Sequence, residues 1–245
     1  MSRKMKEQII STYYHIGIDL DFENIFSYCK FTEDSLEHEK VKFDEIYKNK
    51  VSELNAEEKE KFEQFAIGVH WKLHDVFPVF QWSSIFNSAF NMFEKHINDL
   101  CKIYEKETTI RIGLKDLKGQ GIERAKLFLS KVIGITNVFD SKEWSEIQDY
   151  LKVRNVLVHT SGELDLNQKK HKEVFDYAKN HPKLILYPET PVSDSAQVII
   201  MPDFIYEALI CYRIILGRIC KFNLPVNNGY PSNLLTRERG YYDQT

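Results

Sequence analysis

Glycine and proline are scarce in this sequence, which has 10 of the one and 7 of the other among its 245 residues. Low counts of both residues exclude a fold built from many tight turns and favour a helix-rich protein. The hydrophobic fraction of 43% excludes an intrinsically disordered chain. A chain of this length and composition can bury a substantial core.

Cysteine is also rare, and its spacing does not suggest a metal site. No two of the four cysteines form a CxxC pair or stand at the close spacing of metal ligands. Thiols of this kind are typical of a reducing compartment, where they pack as small apolar groups. We therefore expect buried thiols, no metal and no cofactor. The four residues are Cys29, Cys101, Cys211 and Cys220.

Long uncharged apolar runs are missing. The most apolar run, 204–222, is about as long as a minimal bilayer span, but it contains Glu207, Arg213 and Arg218. The first ten residues, MSRKMKEQII, carry charges without the apolar stretch of a signal peptide behind them. The sequence thus predicts a cytoplasmic protein without a membrane partner.

An excess of basic charge is absent as well. The net charge is −3, from 33 basic and 36 acidic residues. Sequence-independent binding to a long stretch of nucleic acid requires a large basic surface. We therefore expect no DNA binding, and any contact with RNA must be local.

Helical periodicity is the dominant pattern that the chain does contain. Asn55 followed by Glu58 is a capping box that starts one helix. The Phe-Pro pair at 77–78 predicts its end, and Ser83 or Ser84 predicts a cap for the next helix. Asp140 or Ser141 is the predicted cap of the helix at 143–159. Two short segments, KLILYPET and SAQVIIMP, predict a β-hairpin. The predicted helices are 3–15, 22–53, 55–75, 83–107, 122–134, 143–159, 167–180 and 203–222.

These elements predict an all-α fold with a small β-hairpin insertion. The predicted organisation has an N-terminal helical extension at 1–77, a helical domain at 78–224 and a polar C-terminal tail at 225–245. The sequence shows neither an internal repeat nor a low-complexity tract, so no repeat architecture is expected.

The segment RNVLVH, at 154–159, places three polar residues among valines and a leucine near the end of a predicted helix. Arg154 lies on an otherwise apolar stripe of that helix, whereas Asn155 and His159 lie one turn apart on the neighbouring stripe. Arg154 and His159 are five residues apart, so they point in different directions within one helix. They line one pocket only where the helix ends or where a second copy of the helix faces it.

The last turn of this helix has almost no solvated side, which predicts burial in the core or in an interface. A buried arginine requires an acceptor. A phosphate is one such acceptor for Arg154, and His159 has a side chain that exchanges protons near neutral pH. The structural alternative pairs Arg154 with a buried carboxylate, for which Glu94 is a candidate, and makes His159 a cap of the helix C-terminus.

RNVLVH followed by TSG resembles the signature of the HEPN superfamily (higher eukaryotes and prokaryotes nucleotide-binding). That signature is an arginine, a polar residue that is often asparagine, three to five further residues and a histidine, at the end of a long helix. Here Arg154, Asn155 and His159 fill it. The resemblance extends over roughly 80–222, where three more predicted helices are similar to the helical-bundle core of the family, and it leaves the N-terminal extension outside.

The resemblance implies a metal-independent endoribonuclease in which a homodimer brings two motifs together in one composite site. In such a site His159 performs acid–base chemistry on the ribose 2′-hydroxyl and the leaving group. Arg154 holds the scissile phosphate, and Asn155 orients either His159 or the phosphate.

The resemblance also implies partners. Such sites often belong to toxins of toxin–antitoxin or antiphage systems, so the implied partners are RNA, a second copy of the chain and an antitoxin or other regulatory protein. One branch of the family carries a tyrosine two residues after the histidine, where a nucleotidyltransferase antitoxin modifies it. Ser161 stands at that position, so this antitoxin is not expected. Many family members have lost catalysis, and the alternative function is a non-catalytic dimeric HEPN-like interaction module.

Basic residues elsewhere are weaker candidates for RNA contact. Lys118 and Arg124 flank the start of the helix at 122–134, beside two glycines, and a helix N-terminus favours phosphate. No P-loop motif is present there. Lys152 is a third candidate, because it precedes Asn155 by three residues on the motif helix.

His70 and His74 stand four residues apart in HWKLH, a spacing at which two histidines on a helix can share a metal. Trp71 occupies the position that holds glutamate in a HExxH motif, and no third ligand is apparent. The pair therefore predicts a packed amphipathic helix face and no metal site.

Overall fold

The structure, a computed structural model, describes residues 8–10, 12–107, 112–188 and 194–221. The described chain is predominantly helical and carries one small sheet, so the predicted all-α class is confirmed. The predicted tail at 225–245 and part of the predicted helix at 3–15 lie outside the described residues. The α-helices are α1 (Asp19–Glu53), α2 (Ala56–Trp71), α3 (Phe77–Glu107), α4 (Gly121–Leu127), α5 (Lys142–Thr160), α6 (Lys169–Lys179) and α7 (Pro202–Lys221). No helix in the described part of the chain is both long enough and apolar enough to cross a membrane.

Helix α1 continues without interruption from a π-helical turn, Tyr13–Ile18. The predicted separation between helices at 3–15 and 22–53 is therefore wrong. Ile18 and Phe22 are both fully buried and stand four residues apart. This spacing keeps one face of the helix on the core through the junction.

Helix α2 begins at the predicted capping box. The Oδ1 atom of Asn55 accepts hydrogen bonds from the backbone N–H groups of Glu57 and Glu58 at 3.1 and 3.0 Å. The backbone N–H of Asn55 donates in return to the Glu58 carboxylate at 3.2 Å. These bonds satisfy three N–H groups at the helix start, so the local sequence fixes where α2 begins.

The chain does not break at Pro78, contrary to the prediction. A π-helical turn, Lys72–Val76, joins α2 to α3, and the N–H of Phe77 donates to a carbonyl five residues back. Proline has no N–H, and its ring requires room beside the carbonyl four residues earlier. The wider π turn provides that room. The helix therefore continues, and Ser83 and Ser84 lie inside α3 instead of capping its start.

The core lies where α3, α5 and α7 pack against one another. Its largest buried side chains are aromatic. The rings of Phe93 and Tyr212 stack with centroids 4.6 Å apart, and Tyr150 meets Phe204 edge to face at 5.2 Å. Burial of one such side chain stabilises the fold by about 1.5–3 kcal/mol. The aromatic cluster therefore fixes the rotation of α5 and the direction of every polar side chain on that helix.

All four cysteines are free and buried, as predicted. Burial raises the pKa of the Cys101 and Cys220 thiols to about 12. Such thiols are protonated at neutral pH and unreactive. They act as small apolar groups of the core and not as nucleophiles.

The predicted hairpin is present within a three-stranded antiparallel sheet. Its strands are β1 (Glu163–Asp165), β2 (Leu184–Tyr187) and β3 (Ser195–Ile200), in the order β1-β3-β2. Strand β1 was not predicted, because three residues are too few to show the alternation of apolar and polar side chains that marks a strand.

Strand β1 follows directly on the end of α5, through Gly162. This glycine has φ +91°, and a Cβ at its position would lie 2.7 Å from the carbonyl oxygen of Val198. The N–H of Val198 donates to the Gly162 carbonyl at 2.9 Å. Only glycine permits both this backbone conformation and this approach, so the end of α5 is attached directly to β3.

Candidate functional site

Helix α5 carries the RNVLVH segment between two well-defined ends. Ser141 caps its start, one of the two predicted caps, because its Oγ accepts a hydrogen bond from the N–H of Trp144 at 3.3 Å. The helix ends where Ser161 adopts a left-handed conformation with φ 54°, just before Gly162. Both ends are set by local sequence, so the motif lies in the last two turns of the helix, as predicted.

Arg154 reaches from α5 to α3. Its Nη2 donates to Oδ1 of Asn91 at 3.3 Å, and its Nη1 donates to Oδ1 of the neighbouring Asn155 at 3.2 Å. Its Cζ lies 5.9 Å from the centroid of the Phe90 ring, a cation–π distance. The predicted contact between Arg154 and Glu94 is wrong. Glu94 lies three residues after Asn91 on α3, next to Gly121 of α4.

The guanidinium of Arg154 is half-buried and has no counter-charge in the described chain. No described carboxylate lies within 4.0 Å of it, so the predicted alternative of a buried ion pair is not found among these residues. Its Nε atom is buried and has no hydrogen-bond partner there either. A cation whose acceptors are two amide oxygens remains uncompensated. The guanidinium is therefore disposed to bind an external anion.

His159 is exposed, and so is the residue before it. The prediction that the last turn of α5 is buried on all sides is wrong in part: Val153 and Leu157 are buried, but Val158 is 46% exposed. None of the described residues forms a hydrogen bond with the His159 imidazole. The helix end is closed by the backbone at Ser161. Within one chain the structure thus brings Arg154 and Asn155 into contact and leaves the His159 ring facing solvent.

The amide on α3 that accepts from Arg154 was not predicted, and neither were two buried, unpartnered amide atoms on α3 and α5. Asn91 supplies the acceptor described above, and Asn87 lies one turn before it on α3. The Oδ1 of Asn87 and the Nε2 of Gln148 on α5 are buried without partners among the described residues. The available signal was two asparagines four residues apart in an aromatic-rich helix. Their role depends on which helix packs against them, which one sequence does not reveal.

The three weaker candidates lie around the motif without joining it. Arg124 donates from Nε to the carbonyl of Gly119 at 2.8 Å, so it closes the loop that holds exposed Lys118. This loop leads into α4, which packs on α3. Lys152 pairs with Asp149 at 2.9 Å and with a second carboxylate at 3.6 Å. The hydrogen bond that Lys152 donates to Asp149 raises the pKa of Lys152, whose charge is compensated within the chain.

The histidine pair at His70 and His74 is packed. The two rings stack with centroids 4.0 Å apart, and His70 meets Phe43 edge to face at 6.5 Å. Burial lowers the pKa of His74. In the described part of the chain, no three or more histidine, cysteine, aspartate or glutamate side chains converge as metal ligands would.

Comparison of the chain with protein-family models, with curated proteins and with solved structures finds no match in any of the three. The geometry around Arg154 is therefore the basis for assigning a function.

Proposed function

We propose that this chain is a metal-independent endoribonuclease of the HEPN type, in which Arg154 binds the scissile phosphate and His159 transfers protons. The observation that supports this most directly is the half-buried, uncompensated guanidinium of Arg154, held between the amide oxygens of Asn91 and Asn155. Its acceptors among the described residues are these two neutral amides, and neither of them is a carboxylate. A phosphodiester supplies the missing negative charge.

Arg154 suits a phosphate that gains charge during reaction. The guanidinium presents donors in a planar fork that matches two phosphate oxygens. Its Nε donor is buried and has no hydrogen-bond partner among the described residues. The two amides hold the guanidinium in place without cancelling its charge, so its attraction for the transition state is retained.

The proposed reaction is an internal phosphoryl transfer. The ribose 2′-oxygen attacks phosphorus as the bond from phosphorus to the 5′-oxygen breaks, giving a 2′,3′-cyclic phosphate and a 5′-hydroxyl. The 2′-hydroxyl loses a proton and the 5′-oxygen gains one. An imidazole can perform either transfer, which is the role proposed for His159.

A homodimer completes this site. One chain contributes a single His159, whereas the reaction uses a base and an acid. A two-fold axis beside the end of α5 places two such residues on one cleft. The exposed Val158, which precedes His159, provides an apolar surface for that contact. The proposed biological setting is that of a toxin or antiphage effector restrained by a regulatory partner.

The test is cleavage of total RNA by the purified full chain, with and without EDTA. His159→Ala is expected to lower the rate by at least about 10²-fold. Because the His159 side chain is exposed, this change should leave the melting temperature nearly unchanged. His38→Ala is the matched control, an exposed histidine on α1, and is expected to cleave like the wild type. Cleavage that EDTA abolishes, or that persists in His159→Ala, would overturn the proposal.

The second candidate function is a non-catalytic dimeric interaction module. It is favoured by the His159 imidazole, which has no orienting hydrogen bond among the described residues, whereas a catalytic histidine usually has one. This candidate predicts a folded dimer that binds RNA or a protein and cleaves nothing. A binding measurement beside the cleavage assay separates the two functions.

A further inference from the structure

A second feature lies away from the Arg154 site. A cleft of about 860 Å³ opens between α1, the π turn before α3, the β2–β3 hairpin and the start of α7. None of its lining residues belongs to the Arg154 site. We name it the acidic cleft. One side consists of Lys30, Glu33, Asp34, Glu37 and Lys40, which are all on α1.

Carboxylates outnumber cations in the acidic cleft, by five to two, which leaves a surplus of three negative charges. Two of the carboxylates are engaged within the chain: Glu33 accepts from a tyrosine hydroxyl at 2.7 Å, and Asp34 pairs with a lysine at 2.8 Å. Glu37, Asp75 and Asp203 have neither a side-chain hydrogen bond nor an ion pair among the described residues. The surplus favours a positively charged occupant.

Apolar side chains also line the acidic cleft. Ile185, Tyr187 and Met201 line it and remain 42%, 69% and 40% exposed. Trp82 and Val79 of α3 also line the cleft, and Trp82 is almost fully buried. Large apolar side chains gathered at one exposed surface are typical of a contact site.

We propose that the acidic cleft binds a segment of a partner polypeptide that carries both lysine or arginine and large apolar side chains. The mixture of unpaired carboxylates and exposed apolar side chains in the lining matches such a segment. The length also fits a polypeptide. From Lys30 to Lys40 the α1 side extends for about 15 Å, at 1.5 Å per residue, which exceeds the reach of a single compact cation.

The test begins with a random dodecapeptide library displayed on phage and selected on the full chain. Enriched sequences are expected to combine at least two basic residues with at least two large apolar ones. A fluorescent synthetic copy of the best sequence then serves as the probe in anisotropy titrations. Binding is expected to weaken at least about tenfold in Glu37→Lys, where two units of charge change in the cleft.

Glu45→Lys is the matched control, because Glu45 is exposed on the same helix and outside the acidic cleft. It is expected to bind the probe within about twofold of the wild type. Both substitutions place a good helix former on an exposed face, so both variants should fold.

Four outcomes would overturn the proposal. The selection enriches no basic sequences, or Glu37→Lys binds the probe as tightly as Glu45→Lys. Spermidine binds the wild type as tightly as the probe does, which identifies a small cation as the occupant. A synthetic peptide of residues 222–245 displaces the probe at equal concentration, which identifies the chain's own C-terminal segment.

Discussion

Arg154 on α5 donates from Nη2 to the Oδ1 atom of Asn91 on α3 at 3.3 Å, so a neutral amide stands where a carboxylate would neutralise the guanidinium. Asn91→Asp supplies that carboxylate with almost no change in shape. The fold is expected to keep or slightly raise its melting temperature, because an ion pair replaces a neutral contact. The affinity for RNA is expected to fall at least about tenfold, since the phosphate loses its uncompensated cation.

The measurement for Asn91→Asp is fluorescence anisotropy with a 2′-O-methyl oligoribonucleotide, which binds without being cleaved. Asn137→Asp is the control, because this asparagine is exposed and lies in the turn before α5. Equal affinity in both variants would show that the Arg154–Asn91 pair is only structural.

Val158 is the apolar residue that the proposed dimer requires. It is 46% exposed at the end of α5, and Val158→Glu places a charge on that surface. The dissociation constant of the dimer is expected to rise at least about tenfold, with RNA cleavage falling in parallel. Sedimentation velocity over a range of concentrations measures the first effect. Ile67→Glu, at a 69% exposed position on α2, is expected to leave the dimer intact. A dimer that tolerates Val158→Glu places the interface elsewhere.

His96 joins the start of the chain to the middle of α3. Its Nε2 lies 2.9 Å from Asp21 and its Nδ1 lies 2.9 Å from the Tyr13 hydroxyl, while the ring is almost fully buried. Burial, reinforced by Lys95, lowers the pKa of His96. The unfolded chain therefore takes up a proton at this ring more readily than the folded chain. Stability is expected to fall as the pH drops through about 6.5, the ordinary pKa of histidine.

Urea unfolding at pH 7.5 and at pH 5.5 tests this expectation. His96→Gln is expected to cost about 1–3 kcal/mol at pH 7.5, through the loss of buried hydrogen bonds. The variant is also expected to lose less stability than the wild type between the two pH values. An equal loss in both proteins would show that other groups cause the pH dependence.

Glu143 and Arg218 tie the start of α5 to α7 through two hydrogen bonds, at 2.7 and 2.8 Å. These bonds hold the pKa of Glu143 at about 2. A carboxylate whose pKa is lower in the folded chain than in the unfolded chain stabilises the fold at pH values above its ordinary pKa. That stabilisation is lost as the pH falls towards 2. Glu143→Gln is therefore expected to cost about 1 kcal/mol at pH 7 and little at pH 2.5.

Chemical denaturation at the two pH values measures the effect of Glu143→Gln. Glu63→Gln is the comparison, because Glu63 forms a more exposed ion pair at 3.8 Å within α2 and is expected to contribute almost nothing. A similar loss in the free energy of unfolding for both substitutions would show that the ion pair with Arg218 contributes no more than an exposed one.

Local signals predicted the elements that local chemistry determines. The capping box at Asn55, the cap at Ser141 and the β2–β3 hairpin are set by neighbouring residues, and the structure has them where the sequence placed them. The break at Pro78 was predicted from the same kind of signal and is wrong, because a π turn accommodates the ring at little cost to the helix. The conformational preference of proline predicts a break in the helix. It does not predict that the preceding turn becomes π-helical and so makes room for the proline ring.

The candidate site was predictable only in its own helix. The position of Arg154 and Asn155 in the last turns of α5 was predicted, whereas their contact and the choice of Asn91 over Glu94 were not. Glu94 lies about 4.5 Å further along the axis of α3 than Asn91, and the way α3 packs against α5 decides which of the two side chains Arg154 meets. Packing of aromatic core residues decides how α3 is rotated against α5, and one sequence does not reveal the packing.

Strand β3 touches both the end of α5 and the acidic cleft. Its Val198 carbonyl meets Gly162, and its Ile199 and Ile200 line the cleft. Strand β3 is paired on both sides, so one continuous strand joins the end of the helix that carries Arg154 to the acidic cleft. Linkage is reciprocal: an occupant of the cleft that favours one position of β3 changes anion affinity at Arg154, and the anion changes the affinity of the cleft by the same factor.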